Sequence, residues 1–347
     1  MEAVSSWSLP EDLTREIFAR AGYNEPLHMF QVACSCKDWF QALSDDDYAK
    51  RLCENKVAPV ALGFFHNREG LCTFVATRSS PFLPVDAPDR LHWRVMDCRH
   101  NRVLFLSKRR GQLGRHELLV WDPITGAQRR VPVPPEAADC IHPGAAVVCD
   151  VPRCVHSPNC TPPGKFRIAL VISAPLEFED QNMLEEGADA QLRCFLYSSE
   201  SDDWEEGGSI HGVSEEEFGM RPSVMAGGCL YFLSDGLRMF KFGLADHTLT
   251  GVELPYMEDW SSDIEDSLIL TAREDGLAGL VETTNGNLYT WSRGSTRWEM
   301  TLKFDHYYTF GTVGLHEQSL LGFAEGTSTF FVSSSEGMFS LSCLRLW

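Results

Sequence analysis

Apolar positions along the chain change their period near residue 57. Upstream of it they recur every three or four residues, the period of an amphipathic helix. Leu13, Ile17 and Ala21 form one stripe, Leu27 and Phe30 a second, Cys36, Trp39, Phe40 and Leu43 a third, and Tyr48, Leu52 and Cys53 a fourth. Local signals agree with those stripes. Ser8 can cap the amide of Glu11, Glu11 can reach back to Ser8, and Pro10 falls in the first turn, where no amide donor is needed. Gly22 stands where the first helix should end, and Pro26 opens the second. Asp45-Asp46-Asp47 puts negative charge at the start of the fourth, which suits its dipole. The pattern predicts a small all-α module over residues 1–56, of a size that leans on a second body for stability.

From residue 57 to 347 the pattern is one of short strands and turn residues. Leu230–Leu233 and Leu237–Phe242 flank Ser234-Asp235-Gly236, Ala278–Thr283 and Asn287–Trp291 flank Asn285-Gly286, and Thr329–Val332 and Met338–Leu341 flank Glu336-Gly337. Asn-Gly and Asp-Gly supply the positive φ angles that tight hairpins demand. Looser copies join Val60–Phe65 to Leu71–Ala76, Val103–Leu106 to Leu118–Trp121, and Phe166–Ile172 to Cys194–Tyr197. One equivalent position per hairpin gives Phe74, Trp121, Tyr197, Phe242, Trp291 and Leu341, at intervals of 47, 76, 45, 49 and 50 residues. Arg130–Val133 and Thr250–Leu254 read as further strands after two of the hairpins. Units of that length with three or four strands are what a β-propeller blade requires. The expected fold is therefore an all-β, propeller-like repeat of about six units. The chain stops at Trp347, too soon after Leu341 for a closing outer strand, so blade count and ring closure stay open.

Composition narrows the setting. The chain has 347 residues, 44% of them hydrophobic, and a formal net charge of −19. Such acidity disfavours phosphate backbones and anionic lipid, so neither nucleic acid nor membrane is an expected partner. Residues 1–10 lack the basic and apolar regions of a secretion signal, which predicts a cytoplasmic or nuclear protein. The twelve cysteines are scattered and several sit in apolar runs, among them Cys72, Cys194, Cys229 and Cys343, as buried thiols do in a reducing compartment. Lys108-Arg109-Arg110 reads as a loop between strands.

Ser8-Leu9-Pro10-Glu11-Asp12-Leu13, Ile17-Phe18, and then Val32-x-Cys34-x-Cys36-Lys37-x-Trp39-x3-Leu43 resemble the F-box in order and spacing. The resemblance implies docking on the Skp-family adaptor of SCF ubiquitin ligases, and through it on a cullin scaffold. Carried over position by position, the adaptor contacts would be Leu9, Pro10, Leu13, Ile17, Phe18, Val32, Cys36, Trp39 and Leu43. The usual Leu- and Pro-rich turn between the first two helices is replaced by Ala21-Gly22-Tyr23-Asn24-Glu25-Pro26, which would weaken adaptor affinity without changing the fold. Trp121-Asp-Pro-x-Thr-Gly126 followed by Val131-Pro-Val-Pro134 is similar to the F-box-associated, kelch-like propeller of plant F-box proteins. Together these resemblances imply a substrate-recognition adaptor whose propeller loops hold a target protein.

Candidate chemistry changes little. The long interval between Trp121 and Tyr197 holds Cys140, His142, Cys149, Cys154, His156 and Cys160, but their spacings do not match the usual zinc pairs. The stretch 135–165 is read as a surface insert with incidental thiols, and 176–190 as a second, acidic one. These two inserts are the candidate target-binding loops. Glu215-Glu216-Glu217 and residues 258–266 are read as solvated acidic loops. His116-Glu117 and His316-Glu317 lack a second His, and no Gly-Lys-Ser/Thr loop or Gly-x-Ser-x-Gly elbow occurs. Trp93, Trp204, Trp260 and Trp298 are read as packing. No metal, cofactor or catalytic residue is therefore expected. The alternatives are a propeller module acting outside ubiquitin transfer, and a propeller hydrolase or oxidase with a helical cap.

Overall fold

A computed structural model describes residues 61–68, 71–77, 84, 88, 92–100, 102–107, 116–140, 142–150, 165–175, 190–219, 221–255, 268–272, 276–284, 287–293, 297–305, 319–325, 329–334 and 337–342. The predicted helical module, with all nine adaptor-contact positions from Leu9 to Leu43, lies outside the described residues.

A hairpin of β1 (Gly63–Arg68) and β2 (Leu71–Ala76) comes first. The first blade is β3 (Trp93–Arg99), β4 (Arg102–Ser107), β5 (Glu117–Trp121) and β6 (Gln128–Pro132). The second is β7 (Gly144–Cys149), β8 (Phe166–Pro175), β9 (Ala190–Ser198) and β10 (Asp203–Val213). The third is β11 (Val224–Ala226), β12 (Cys229–Leu233), β13 (Met239–Gly243) and β14 (Leu249–Val252). The fourth is β15 (Leu268–Ala272), β16 (Ala278–Thr284), β17 (Asn287–Arg293) and β18 (Trp298–Asp305). A three-stranded sheet of β19 (Ser319–Ala324), β20 (Thr329–Ser334) and β21 (Gly337–Ser342) makes the fifth. Every sheet is an antiparallel meander in chain order.

The side chains show how the sheets stack. In the first blade Leu104, Leu106, Leu118 and Val120 enter one apolar cluster with Val147, Ile168, Leu170 and Phe195 of the second blade. Their alternates Val103, Phe105, Leu119 and Trp121 face the other way, onto Cys72 and Phe65 of the hairpin. The second blade repeats the division. Ala169, Val171, Leu192, Cys194 and Leu196 pack on Leu230, Phe232, Phe240 and Phe242 of the third, which turns Tyr231, Leu233 and Met239 to Leu268, Leu270 and Leu280 of the fourth. Sheets covered on both faces need apolar residues at successive positions, hence the buried runs of β4, β5 and β12. Outer strands relax toward alternation or exposure, as in β6 and β10.

The ring is a β-propeller of about five blades, and this corrects the expected count of about six. Six sheets are present among the described residues, as the six hairpin units require, but the first is a bare hairpin. It sits between the first and last blades. Phe65 meets Phe105 and Trp121 with ring centroids 6.2 and 5.8 Å away, while Phe64 stacks on Phe331 of β20 at 4.4 Å.

Three connections between third and fourth strands share one loop. Asp122 N donates to Ala127 O and Gly126 N to Asp122 O; Gly243 N donates to Thr248 O and His247 N to Gly243 O; Asp202 N donates to Ser198 O. Each loop carries one residue at positive φ, namely Gly126 (76°), Asp202 (58°) and His247 (54°). In the first copy the buried Asp122 carboxylate accepts from Ile124 N (2.8 Å), Thr125 N (3.3 Å) and the Thr125 hydroxyl (2.8 Å). The Asp-Pro-x-Thr-Gly sequence is thus a self-satisfied turn.

Three local expectations change. Residues 135–165 are not simply an insert: 135–137 form a 3-10 turn and 144–149 form β7, the inner strand of the second blade. In the Ser234–Arg238 turn the positive φ falls on Leu237 (55°), not on the Asp-Gly pair, and β13 starts at Met239. Glu216 is buried and paired with Arg238 at 3.1 Å, so the run 215–217 is not a wholly solvated loop.

Candidate functional site

Propeller function concentrates where inner strands and their loops converge, because each blade contributes there. The densest polar constellation among the described residues is of this kind, and it is built around Arg99 at the end of β3. A register shift between Val95 and Asp97 marks a bulge in β3 just before it. Arg99 is buried, and all three of its guanidinium nitrogens have acceptors. Nε and Nη2 donate to the two carboxylate oxygens of Glu325, at 2.8 and 2.7 Å. Nη1 donates to Asp97 Oδ2 at 2.6 Å and to Val147 O at 3.3 Å. Nη2 also reaches Ser223 O at 3.0 Å.

The carboxylates are supported in turn. Asp97 accepts from Val147 N at 2.8 Å and from Cys98 N at 2.9 Å, and Glu325 Oε1 accepts from Met225 N at 2.7 Å. One side chain thereby joins β3 of the first blade, β7 of the second, the entry to β11 of the third and the end of β19 of the fifth. A planar guanidinium suits this role because its fork presents donors in several fixed directions, which an ammonium does not.

Electrostatics follow from burial. Desolvation pushes the Asp97 carboxyl up to about 6; the adjacent Arg99 opposes that rise and Glu325 adds to it. Burial would lower the Arg99 guanidinium, but Asp97 and Glu325 outweigh it and hold its pKa above the ordinary value. For Cys98 between them, desolvation first, then Asp97, pushes the thiol up to about 12. A thiol so raised is not a nucleophile near neutral pH. The cluster is an internally satisfied tie.

A second polar group lies at the other end of β3. Arg94 Nη1 lies 3.2 Å from His142 Nδ1, and Phe218 N donates to His142 O at 3.0 Å. Burial lowers the Arg94 guanidinium, opposed by Cys140 and Asp235. Gly219 N contacts both oxygens of Asp235 at 3.1 Å, and Arg221 donates to Ser234 O at 2.7 Å. These contacts lay residues 214–219 across the entrance to the third blade.

The residues singled out from sequence divide plainly. Cys140 and Cys149 are half-buried, and Cys154, His156 and Cys160 lie outside the described residues, as do Trp260 and Cys343. No grouping of three metal-ligating side chains occurs among the described residues. His116 is buried beside Ser107 O, at 3.0 Å. Cys72 and Cys194 are buried as expected, whereas Cys229 is only half-buried. Trp204 and Trp298 pack and also donate their indole N–H to Pro132 O (2.9 Å) and Glu253 O (2.7 Å) of the preceding blade. Sequence reasoning missed Asp97, Arg99 and Glu325. The available signal was two opposite charges two residues apart, on one face of a short run that ends in a turn.

No protein-family model matches the chain, and no curated protein does. Among solved structures it is similar to a luciferin-regenerating enzyme (9% identity, 84% of this chain and 94% of that one, TM-score 0.41). It is also similar to TolB from Acinetobacter baumannii (10% identity, 88% and 70%, TM-score 0.40). A complex of KlAtg21 with the coiled coil of AgAtg16 matches at 12% identity over 80% and 74%, with TM-score 0.41. Likenesses this distant say nothing of what the chain does. Among the described residues no helix is long and apolar enough to cross a membrane.

Proposed function

We propose that the protein is a non-catalytic substrate receptor of an SCF-type ubiquitin ligase, active in the cytoplasm or nucleus. The observation that carries the reading is the order of parts: a segment with F-box spacing, Ser8 to Leu43, stands directly before a β-propeller. Leu9, Pro10, Leu13, Ile17, Phe18, Val32, Cys36, Trp39 and Leu43 dock on the Skp-family adaptor, which links to the cullin. The propeller holds the target protein on its loops, with the segments 135–165 and 176–190 as the candidates. A rigid array of stacked blades suits that task, because it fixes loops in space while leaving their sequences free. Ubiquitin transfer then gains rate from proximity, as target lysines are held near the charged carrier.

Affinity capture of the full chain with a Skp-family adaptor and a cullin tests this. Wild type co-purifies both, and Leu13→Asp or Trp39→Asp reduces recovery at least about tenfold by desolvating a charge in an apolar contact. Recovery that is absent in wild type, or unchanged in both variants while the propeller stays folded, removes the reading.

A further inference from the structure

We infer that Arg99 is the clasp that closes the propeller ring, and that the hairpin β1–β2 with the fifth blade opens as one unit when it is released. This does not depend on the ligase reading.

The seam between the last and first blades is the junction that no chain connection crosses, since β1 begins the described strands and β21 ends them. Among the described residues no strand from the start of the chain pairs with β19, β20 or β21, and β1–β2 hydrogen-bonds as a separate sheet. As at every other junction among the described residues, no backbone ladder crosses this gap. Side chains do. Phe64 stacks on Phe331, and Phe65 packs against Phe105 and Trp121. Asn67 completes the edge of β3 at its bulge, donating to Val95 O at 2.8 Å and accepting from Val95 N at 3.0 Å. An amide that both donates and accepts in this way replaces one rung of a missing strand.

Of these ties only Arg99 spans the ring. Arg99 and Glu325 are 226 residues apart, and their bidentate pair links the first blade directly to the fifth. Through Glu325 Oε1 it also engages Met225 N of the third. Arg99 is 5% exposed and the Glu325 side chain 22% exposed, so water reaches the pair from the Glu325 side only. Without Arg99 the Asp97 and Glu325 carboxylates face each other with no cation between them, and without Glu325 the guanidinium keeps Asp97 but loses its tie to the fifth blade. Among the described residues the seam then has the hairpin's apolar contacts and Asn67 to hold it.

Hydrogen exchange with mass spectrometry on the full chain tests the clasp, using Arg99→Met and the near-isosteric Glu325→Gln. The expected result is a loss of protection of about a hundredfold in β1, β2, β19, β20 and β21. The inner ladders β8, β9, β12 and β13 keep most of theirs. Melting temperature falls by about 10 °C for Arg99→Met, since removing one partner of a buried pair is costly. Arg99→Lys keeps the charge but not the fork, and behaves like Arg99→Met. Should Arg99→Met fail to fold, Glu325→Gln alone gives the exchange pattern. Exchange that rises evenly over all blades, or not at all at the seam, overturns the proposal, as does full recovery with lysine.

Discussion

A carboxylate held where water is excluded titrates unusually, and Asp97 is placed to show it. Burial raises its folded pKa from 3.8 to about 6, against the pull of Arg99. A carboxyl raised on folding contributes stability that is full below about 3.8 and lost as pH rises through about 6. Asp97→Asn keeps the shape without the titration. The stability of wild type relative to Asp97→Asn is therefore greatest near pH 4, and it declines by up to about 3 kcal/mol by pH 7. The difference is the quantity to measure, because other carboxyls act oppositely. Hydrogen bonds from Tyr197 to Asp202, from Arg193 to Glu206 and from the Thr248 backbone to Asp246 lower those groups, and their contributions are lost as pH falls. Denaturant melts of both proteins at pH 4, 5.5 and 7 decide it, and a wild-type advantage that grows with pH shows the Arg99 contact prevailing over burial. Asp122 offers a second residue-scale test. Its buried carboxylate serves three donors, so Asp122→Ala costs about 2–3 kcal/mol, read as a midpoint shift in urea. Gly126→Ala, which puts a Cβ at a φ of 76°, costs about 1 kcal/mol.

The outer strands carry a repeated device that belongs to the element scale. Trp204 is the second residue of β10 and Trp298 opens β18, and each indole donates to a carbonyl at or just past the end of the preceding blade's outer strand. Trp→Phe at either site keeps most apolar contact and removes one hydrogen bond. Each variant melts about 2–4 °C lower, and the double variant is additive because the sites lie two blades apart. Unchanged melting in both would reduce these tryptophans to packing. The same strands explain what could be read in the sequence. The hairpins β4–β5, β8–β9, β12–β13 and β16–β17 stand out because apolar runs face each other, and in the last two they do so across short turns. The inner strands do not. β3 mixes Trp93 and Met96 with Arg94, Asp97 and Arg99; β7 is small and lies among cysteines and prolines; β11 has three residues. Their side chains answer to neighbouring blades rather than to a period along the chain, so β7 resembled part of a loop. The Arg99 cluster escaped for the same reason, since Glu325 is brought to it only by ring closure.

At the scale of the whole molecule, a ring of sheets couples residues that never touch. Blades stack through separate apolar clusters, so each junction behaves as a local interface, and a ring opens at its weakest one. The junction at β1–β2 has a half-buried Phe65 as its main apolar contact with the first blade, alongside Cys72. Phe65→Ala removes ring contacts with Phe74, Phe105 and Trp121 and costs about 2–3 kcal/mol, less than for a fully buried phenylalanine. Combination with Arg99→Met separates two pictures. If the seam opens as a unit, the first substitution already releases it and the second adds little, giving a coupling of about 1 kcal/mol or more. Chemical denaturation of wild type, both single variants and the double variant yields that coupling. Strict additivity would mean that Arg99 and the hairpin stabilise the ring independently, and that closure is shared around it rather than held at one seam.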